Sequence, residues 1–365
     1  MQGHTAPSSS TEEDYLPSYS MEEENESGSL RVEESENGEK GEKEKGEKGP
    51  FNKKRKMAKK RGRKRNSLRK AFEKGVGQPL YFAGLNPDFI VFSPARGSPP
   101  ASRELLAVGV DRISNEKVGV KVVDMEDKDS LERAENELRT LREVGGESCV
   151  IDVRAAFSEA KVLHIVFPHA YGGSLYQEVS SRGAFSEVRC RSIFSQIAEC
   201  LHFLHTHKIA HRNLTIHSVL LRHSRRDEIW ITEFGDSVKN CPQTSAACSP
   251  SSFKPFNPLF SSPEILRSNW SGEDIYKSDW WSMGVIAYVC LTTTYPFFSN
   301  DRSQLADLIN KNQPNFPEFF SWEARDLLSK LLEKDPKKRI GGQQTMKHPW
   351  VVVASYERKS EKSLL

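Results

Sequence analysis

Strand-like apolar spacing dominates this chain before Gly173 and helical spacing after it, and that division restricts it to a fold in which strands and helices are largely segregated. Residues 104–125, ELLAVGVDRISNEKVGVKVVDM, hold two apolar runs around the polar SNEK, which predicts a β-hairpin. LERAENELRTLREV then sets Ala134, Leu138, Leu141 and Val144 at helical intervals, and KVLHIVF returns to strand. Beyond Gly173 helical spacing takes over. RSIFSQIAECLHFLHTH puts Ile193, Ile197, Cys200, Leu201 and Leu204 on one face, and SWEARDLLSKLLEKDP repeats Leu327, Leu328, Leu331 and Leu332 behind a Ser321 N-cap. The order predicts an α+β fold of two lobes, a small β-rich N-lobe with one helix and a larger α-helical C-lobe.

Residues 1–79 have no such pattern. An acidic, Ser-rich opening leads into GEKGEKEKGEKG and then KKRKMAKKRGRKR, too polar to bury the apolar surface that would offset chain entropy, so a disordered tail is expected there. The net charge is only +3, but the run Lys53–Arg65 concentrates cations. It reads as a nuclear-import address, as a nucleic-acid contact, or as a solvated charge block; no aromatic residues interleave to stack on bases. Ser67 in RKRNSLRK suits a basophilic kinase as a phosphorylation site, or is an unmodified serine.

Six cysteines are scattered without a CxxC pair, the pattern of reduced intracellular thiols. The longest strongly apolar stretch, Met283–Leu291, is far too short to span a bilayer, and the N-terminus lacks a basic start followed by an apolar core. The expectation is a nuclear or nucleo-cytoplasmic protein without membrane attachment.

The stretch IAHRNLTIHSVLL, Ile209–Leu221, is a polar loop between apolar runs that holds two histidines and an arginine but no carboxylate. Taken with VGVK, AENEL, EFG, SPE, DWWSMG and KDPKKRI…HPW in that order, its HRN resembles the signature series of the protein kinase family across roughly residues 88–351. Within the family the chain is most similar to the calmodulin-dependent group and, inside it, to the DNA-damage checkpoint Ser/Thr kinase. Any one motif is weak, since VGVKVV alone is more often a strand with an exposed lysine; seven in order are strong.

The resemblance implies a tail at 1–79, a kinase-like domain at 80–351 (N-lobe about 88–168, C-lobe about 169–351) and a C-terminal tail at 352–365. It implies that Lys121 holds ATP phosphates and Glu137 orients it. It makes Phe167 the gatekeeper, with the Pro168 carbonyl and the Ala170 N–H serving the base edge. Gly119 then lacks the small side chain expected above the adenine ring. Glu264 and Arg339 match a buried pair that fastens the helical lobe, and Asp279 matches the carboxylate that props the catalytic loop.

Several working positions depart from the family. The phosphate-covering loop, near Gly97–Leu105, contains Pro99 and Pro100, which lack N–H groups and have fixed φ. The catalytic Asp is Asn213, which takes no proton at neutral pH; the lysine two residues on is Thr215; the metal-binding Asn is Ser218, a neutral hydroxyl. Glu233 replaces the Asp of Asp-Phe-Gly, keeping its charge one methylene farther out, as a weakened Mg ligand. The threonine that approaches the catalytic Asp falls at Asn257.

The first reading is therefore a catalytically impaired kinase homologue, a pseudokinase, that keeps at most weak ATP binding. It would act in signalling by binding proteins such as an active kinase or checkpoint components. The alternative is a Ser/Thr kinase of low activity using Glu233, and the third reading is nucleic-acid binding through residues 53–65. Two further features have two readings each. His202, His205, His207 and His211 form a metal cluster or, more commonly in such sequences, packing histidines; Arg212 pairs with a phosphorylated loop among the serines of TSAACSPSSF or buttresses its own loop.

Overall fold

The computed structural model describes residues 82–83, 89–94, 104–159, 161–224, 226–241, 257–270 and 272–353. The basic run 53–65, Ser67, the loop positions 97–103 and the serines of 244–253 lie outside them. A six-stranded antiparallel sheet opens the described part: β1 (Phe82–Ala83), β2 (Phe89–Pro94), β3 (Glu104–Asp111), β4 (Lys117–Asp124), β5 (Ala155–Glu159) and β6 (Val162–Pro168), in the order β1-β2-β3-β4-β6-β5. The SNEK hairpin is the β3–β4 pair, and Glu104 and Leu105 belong to β3 rather than to a loop. Its turn is tied by Asp111 Oδ1, which accepts from the N–H of Ile113 at 2.9 Å. Helix α1 (Lys128–Val144) follows β4 and buries Ala134, Leu138, Leu141 and Val144, the four positions its spacing marked.

His164 on β6 is fully buried and stacks on Phe157, with ring centroids 5.0 Å apart. Burial pushes its pKa down from 6.5 to about 4, against backbone hydrogen bonds at Val162 and Phe157 that favour the charged ring. The unfolded chain thus takes a proton that the folded chain resists. The stability this position contributes is complete above about pH 6.5 and is lost as pH falls toward about 4, by up to about 3 kcal/mol. Denaturant melts at about pH 7 and about pH 4.5 should differ less for His164→Phe than for the native chain. Equal pH dependence in the two proteins would exclude His164 as its source.

The helical part begins with β7 (Gly173–Ser174) and α2 (Leu175–Arg182), whose start is closed by a capping box between Ser174 and Gln177. Helix α3 (Glu187–Thr206) buries the face read from its sequence. Short strands β8 (Ile209–Ala210), β9 (Val219–His223), β10 (Arg226–Ile231) and β11 (Val238–Lys239) frame the loops between α3 and the remaining helices. Those helices are α4 (Pro263–Leu266), α5 (Asp274–Thr292), α6 (Arg302–Lys311), α7 (Trp322–Leu331) and α8 (Gly342–Met346). Ser321 caps α7, its hydroxyl accepting from the N–H of Ala324 at 3.1 Å.

Helix α5 is the core of this lobe. Every residue from Ser278 to Leu291 is buried, as in a helix packed on all sides. A Cβ on Gly284 would lie 3.0 Å from Leu331 Cβ, so the glycine is what lets α5 and α7 approach. Among the described residues no helix is long and apolar enough to cross a membrane.

One buried ion pair ties this lobe together. Arg339 donates from Nη1 to Glu264 Oε1 at 2.6 Å and from Nη2 to Oε2 at 2.9 Å, and it also reaches the carbonyls of Glu333 and Lys277. Its side chain is fully shielded, with the face of Trp281 5.1 Å from the guanidinium carbon.

The cysteines correct one expectation. Cys149, Cys190, Cys200 and Cys290 are free, but Cys241, just past β11, is disulfide-bonded. Spacing gave no sign of it, because a disulfide needs only Cα atoms roughly 4.4–6.8 Å apart, which folding rather than sequence separation decides.

Candidate functional site

The site is assembled from β4, one face of α1, the loop after β8 and the turn after β10. Register sets Lys121 of β4 opposite Leu106 and Ile165, so the three share a sheet face. Lys121 is buried and donates to Glu137 Oε2 at 2.7 Å, while Glu137 Oε1 accepts from the N–H of Phe234 at 3.2 Å. One carboxylate thereby joins sheet, helix and the Glu-Phe-Gly turn.

More of α1 takes part than its motif announced. Arg133, Asn136, Glu137 and Thr140 recur at helical spacing along one face. Arg133 pairs with Asp236 at 3.0 Å, and the hydroxyls of Thr140 and Ser237 meet at 2.8 Å. Asn136 Nδ2 lies 3.4, 3.0 and 2.8 Å from the carbonyls of Phe234, Gly235 and Ser237. One turn further, Glu143 accepts from Lys239. The sequence signal for these was the periodic polar stripe flanking the apolar face of Ala134 and Leu141. Glu233, at the head of the turn, has φ 66° and ψ 51°, left-handed backbone that a non-glycine residue adopts only when its surroundings impose it.

The loop after β8 is gripped by Asp279 of α5. Asp279 Oδ2 accepts from the N–H of His211 at 2.9 Å and from His205 Nε2 at 2.8 Å, and Oδ1 accepts from the N–H of Arg212 at 2.8 Å. Burial alone would raise the Asp279 pKa; the His205 and His211 contacts outweigh it and hold the carboxyl below its ordinary value. Arg212 has a φ of +68°, and burial lowers its guanidinium to about 10 in spite of Asp236 and Asp279. Those two carboxylates fit the buttress reading of this arginine.

His211 donates from Nε2 to the carbonyl of Thr232 at 2.8 Å, leaving Nδ1 to accept from the N–H of Asn213 at 3.3 Å. Burial depresses its pKa, and its ring sits edge-on to Phe234 at 4.7 Å. The four histidines do not converge. His205 goes to Asp279, His207 to the carbonyl of Phe203 and His211 to Thr232. Among the described residues no group of three or more His, Cys, Asp or Glu could hold a metal ion.

The three altered loop positions are buried together. Ser218 Oγ accepts from the N–H of Thr215 at 2.9 Å and donates to the carbonyl of Thr215 at 3.0 Å. Thr215 Oγ1 in turn accepts from the N–H groups of His217 at 3.1 Å and Ser218 at 3.3 Å. These two side chains close a small ring of hydrogen bonds on their own backbone. Asn213 lines a small polar cleft with Arg212, Thr215, Asn257 and Ser261. Asn257 is turned to its own chain, its Oδ1 accepting from the N–H of Leu259 at 3.2 Å.

Two ligand groups can be tested against these residues. At the edge where the resemblance puts the base, Phe167 and Pro168 end β6, Pro168 lies opposite Val118, and Pro168 and Ala170 are half-buried. A Cβ on Gly119 would meet Pro168 O at 3.9 Å and Phe167 Cβ at 4.0 Å, ordinary contact distances, so a methyl would fit there without strain. The Ser218 position does not fit magnesium, which wants near-octahedral oxygen ligands, because its side chain is fully buried and its hydroxyl is bonded to the backbone of Thr215.

A family model described as Protein kinase domain matches residues 107–351. The serine/threonine-protein kinase PKZ1 of Phytophthora infestans is 26% identical over 277 residues, covering 68% of this chain and 67% of that protein. A probable myosin light chain kinase of Dictyostelium discoideum is 31% identical over 225 residues, 59% of this chain and 67% of its own length. The RAC-beta serine/threonine-protein kinase of Homo sapiens is 29% identical over 221 residues, 58% of this chain and 44% of that protein. Among solved structures, Rad53 residues 1–466 in complex with AMP-PNP matches with a TM-score of 0.59 at 24% identity, over 72% of this chain and 65% of that one, which is a likeness of fold. The chain thus spans about two thirds or less of the length of each of these relatives.

Proposed function

The chain belongs to the protein kinase family, and from that premise we propose that it is a pseudokinase, a kinase-fold protein that binds signalling partners and nucleotide weakly without transferring phosphate. The observation that carries this is Ser218. At the position where the family resemblance implies a metal ligand, the hydroxyl both donates to and accepts from the backbone of Thr215. Asn213 beside it has no basic lone pair for a hydroxyl proton at neutral pH. A general base contributes about 10² to 10⁴ in rate, and the metal neutralises the transferring phosphoryl group, so losing both removes most of what drives the reaction.

Support for residual nucleotide binding comes from the Lys121–Glu137 pair and from the AMP-PNP held by Rad53, a protein of the same fold. The test is a thermal-shift titration with ATP, with and without magnesium. A ligand at ten times its Kd stabilises by about 1.4 kcal/mol, and here the shift should be the same with and without metal. Magnesium-dependent stabilisation together with peptide phosphorylation abolished by Lys121→Ala would overturn the proposal. The low-activity kinase reading keeps one specific support, the retained carboxylate of Glu233.

The same proposal extends to the tail. Nuclear import through residues 53–65 would bring the chain to an active kinase or to checkpoint components, and a reporter fused to residues 1–79 that stays in the cytoplasm would remove that part. Nucleic-acid binding by the same run is the third reading. It requires affinity that falls steeply with salt in residues 1–79 alone.

A further inference from the structure

Two large aromatic side chains stand in solvent at the start of α7. Trp322 is 73% exposed and Phe319 is 68% exposed, although the backbone carrying them is held on every side. Glu187, at the head of α3, accepts from the N–H of Ser321 at 3.3 Å, from the Ser321 hydroxyl, and from Trp350 Nε1 at 2.6 Å. Arg325 donates to the carbonyls of Pro317 at 2.8 Å and Phe320 at 3.3 Å. Tyr288 donates its hydroxyl to the carbonyl of Asn315 at 2.7 Å. The loop is thus clamped from α3, α5 and α7, with Phe320 buried beneath it, while Phe319 and Trp322 point outward.

The patch is wider than the loop. Val188, next to the clamping Glu187, is 56% exposed. Single exposed apolar residues are ordinary on a protein surface; a rigid cluster containing a tryptophan and a phenylalanine is what a binding hot spot needs. Pre-ordering of the loop removes an entropy cost that a flexible patch would meet on association. The rim has a sign: Glu318 and Glu323 are exposed on either side of the pair, while Arg325 is engaged with carbonyls and Lys330 with Asp326.

We propose that the Phe319–Trp322 face is a docking site for a cationic amphipathic peptide segment of a partner protein, its apolar side on Phe319, Trp322 and Val188 and its Lys or Arg residues beside Glu318 and Glu323. The acidic rim disfavours an anionic lipid surface, which would be repelled where the peptide is attracted. This goes beyond the reading of the nucleotide cleft and uses none of its residues, so each can fail alone.

The test measures fluorescence anisotropy of a labelled Leu/Lys peptide of about four helical turns with apolar residues at helical spacing, against the full chain. A scrambled peptide of equal composition, a Leu/Glu peptide, and phosphatidylcholine vesicles containing phosphatidylserine are the other arms. The patterned cationic peptide should bind and the other three should not. Trp322→Ser or Phe319→Ser should weaken binding about tenfold or more, and Glu318→Gln with Glu323→Gln about threefold, with unchanged melting temperatures because these side chains are exposed. Equal binding of the scrambled peptide, binding of vesicles alone, or native affinity in Trp322→Ser would each overturn the proposal, and ATP-induced stabilisation should be the same in all variants.

Discussion

Replacing Asn213 by Asp in the otherwise native chain should produce no measurable phosphotransfer, although it restores the residue that acts as base throughout the family the sequence resembles. The reason is its neighbour. Ser218 remains folded onto Thr215, with its hydroxyl accepting from one backbone group and donating to another, so no side chain from that position reaches a metal. A base is of use only when the phosphoryl group it serves is positioned and its charge neutralised. The combined variant Asn213→Asp, Ser218→Asn, Glu233→Asp should gain at least about 10²-fold over the single one, since it returns base and metal ligands together. Radiolabel transfer to a generic peptide measures both. A gain of about 10² or more from Asn213→Asp alone would show that the metal site already works and would establish the low-activity kinase reading.

The largest stability effect should come from the ion pair beneath the helical lobe. Arg339→Ala removes the partner of a carboxylate that is 4% exposed and strips hydrogen bonds from the carbonyls of Glu333 and Lys277. Breaking a buried pair on one side costs about 3–5 kcal/mol, because the other charge stays behind in a poorly solvated site. For a domain of this size that is a Tm drop of roughly 6–20 °C. Arg339→Lys should recover only part of the loss, since an ammonium cannot match both oxygens of Glu264. Removing both charges at once, as Arg339→Met with Glu264→Leu, should cost much less than Arg339→Ala. A single-mutant loss below about 1 kcal/mol would mean that the pair is solvated in solution.

Much of the architecture was legible because it is periodic. The hairpin around SNEK, α1 with Ala134, Leu138, Leu141 and Val144 inward, and α7 behind its Ser321 cap all follow from local spacing and capping chemistry. The short strands β8 to β11 were not legible, since two to six residues carry no period of their own. The disulfide at Cys241 was missed for a related reason: spacing along the chain does not fix approach in space.

At the candidate site the division is sharper. Residue identity alone settled that Asn213, Thr215 and Ser218 lack the carboxylate, cation and amide that the family pattern places there, because the chemistry of a side chain is fixed before folding. Which partners those side chains take was decided only by the tertiary structure. Asn136 reaches carbonyls about a hundred residues away, and Asp279 of α5 gathers His205 from α3 and the backbone of His211 and Arg212 from the loop after β8. Ser218 spends its hydroxyl three residues back along its own chain. Hydrogen bonds are directional and hold over roughly 3 Å, so these choices depend on where the backbone of distant segments comes to rest.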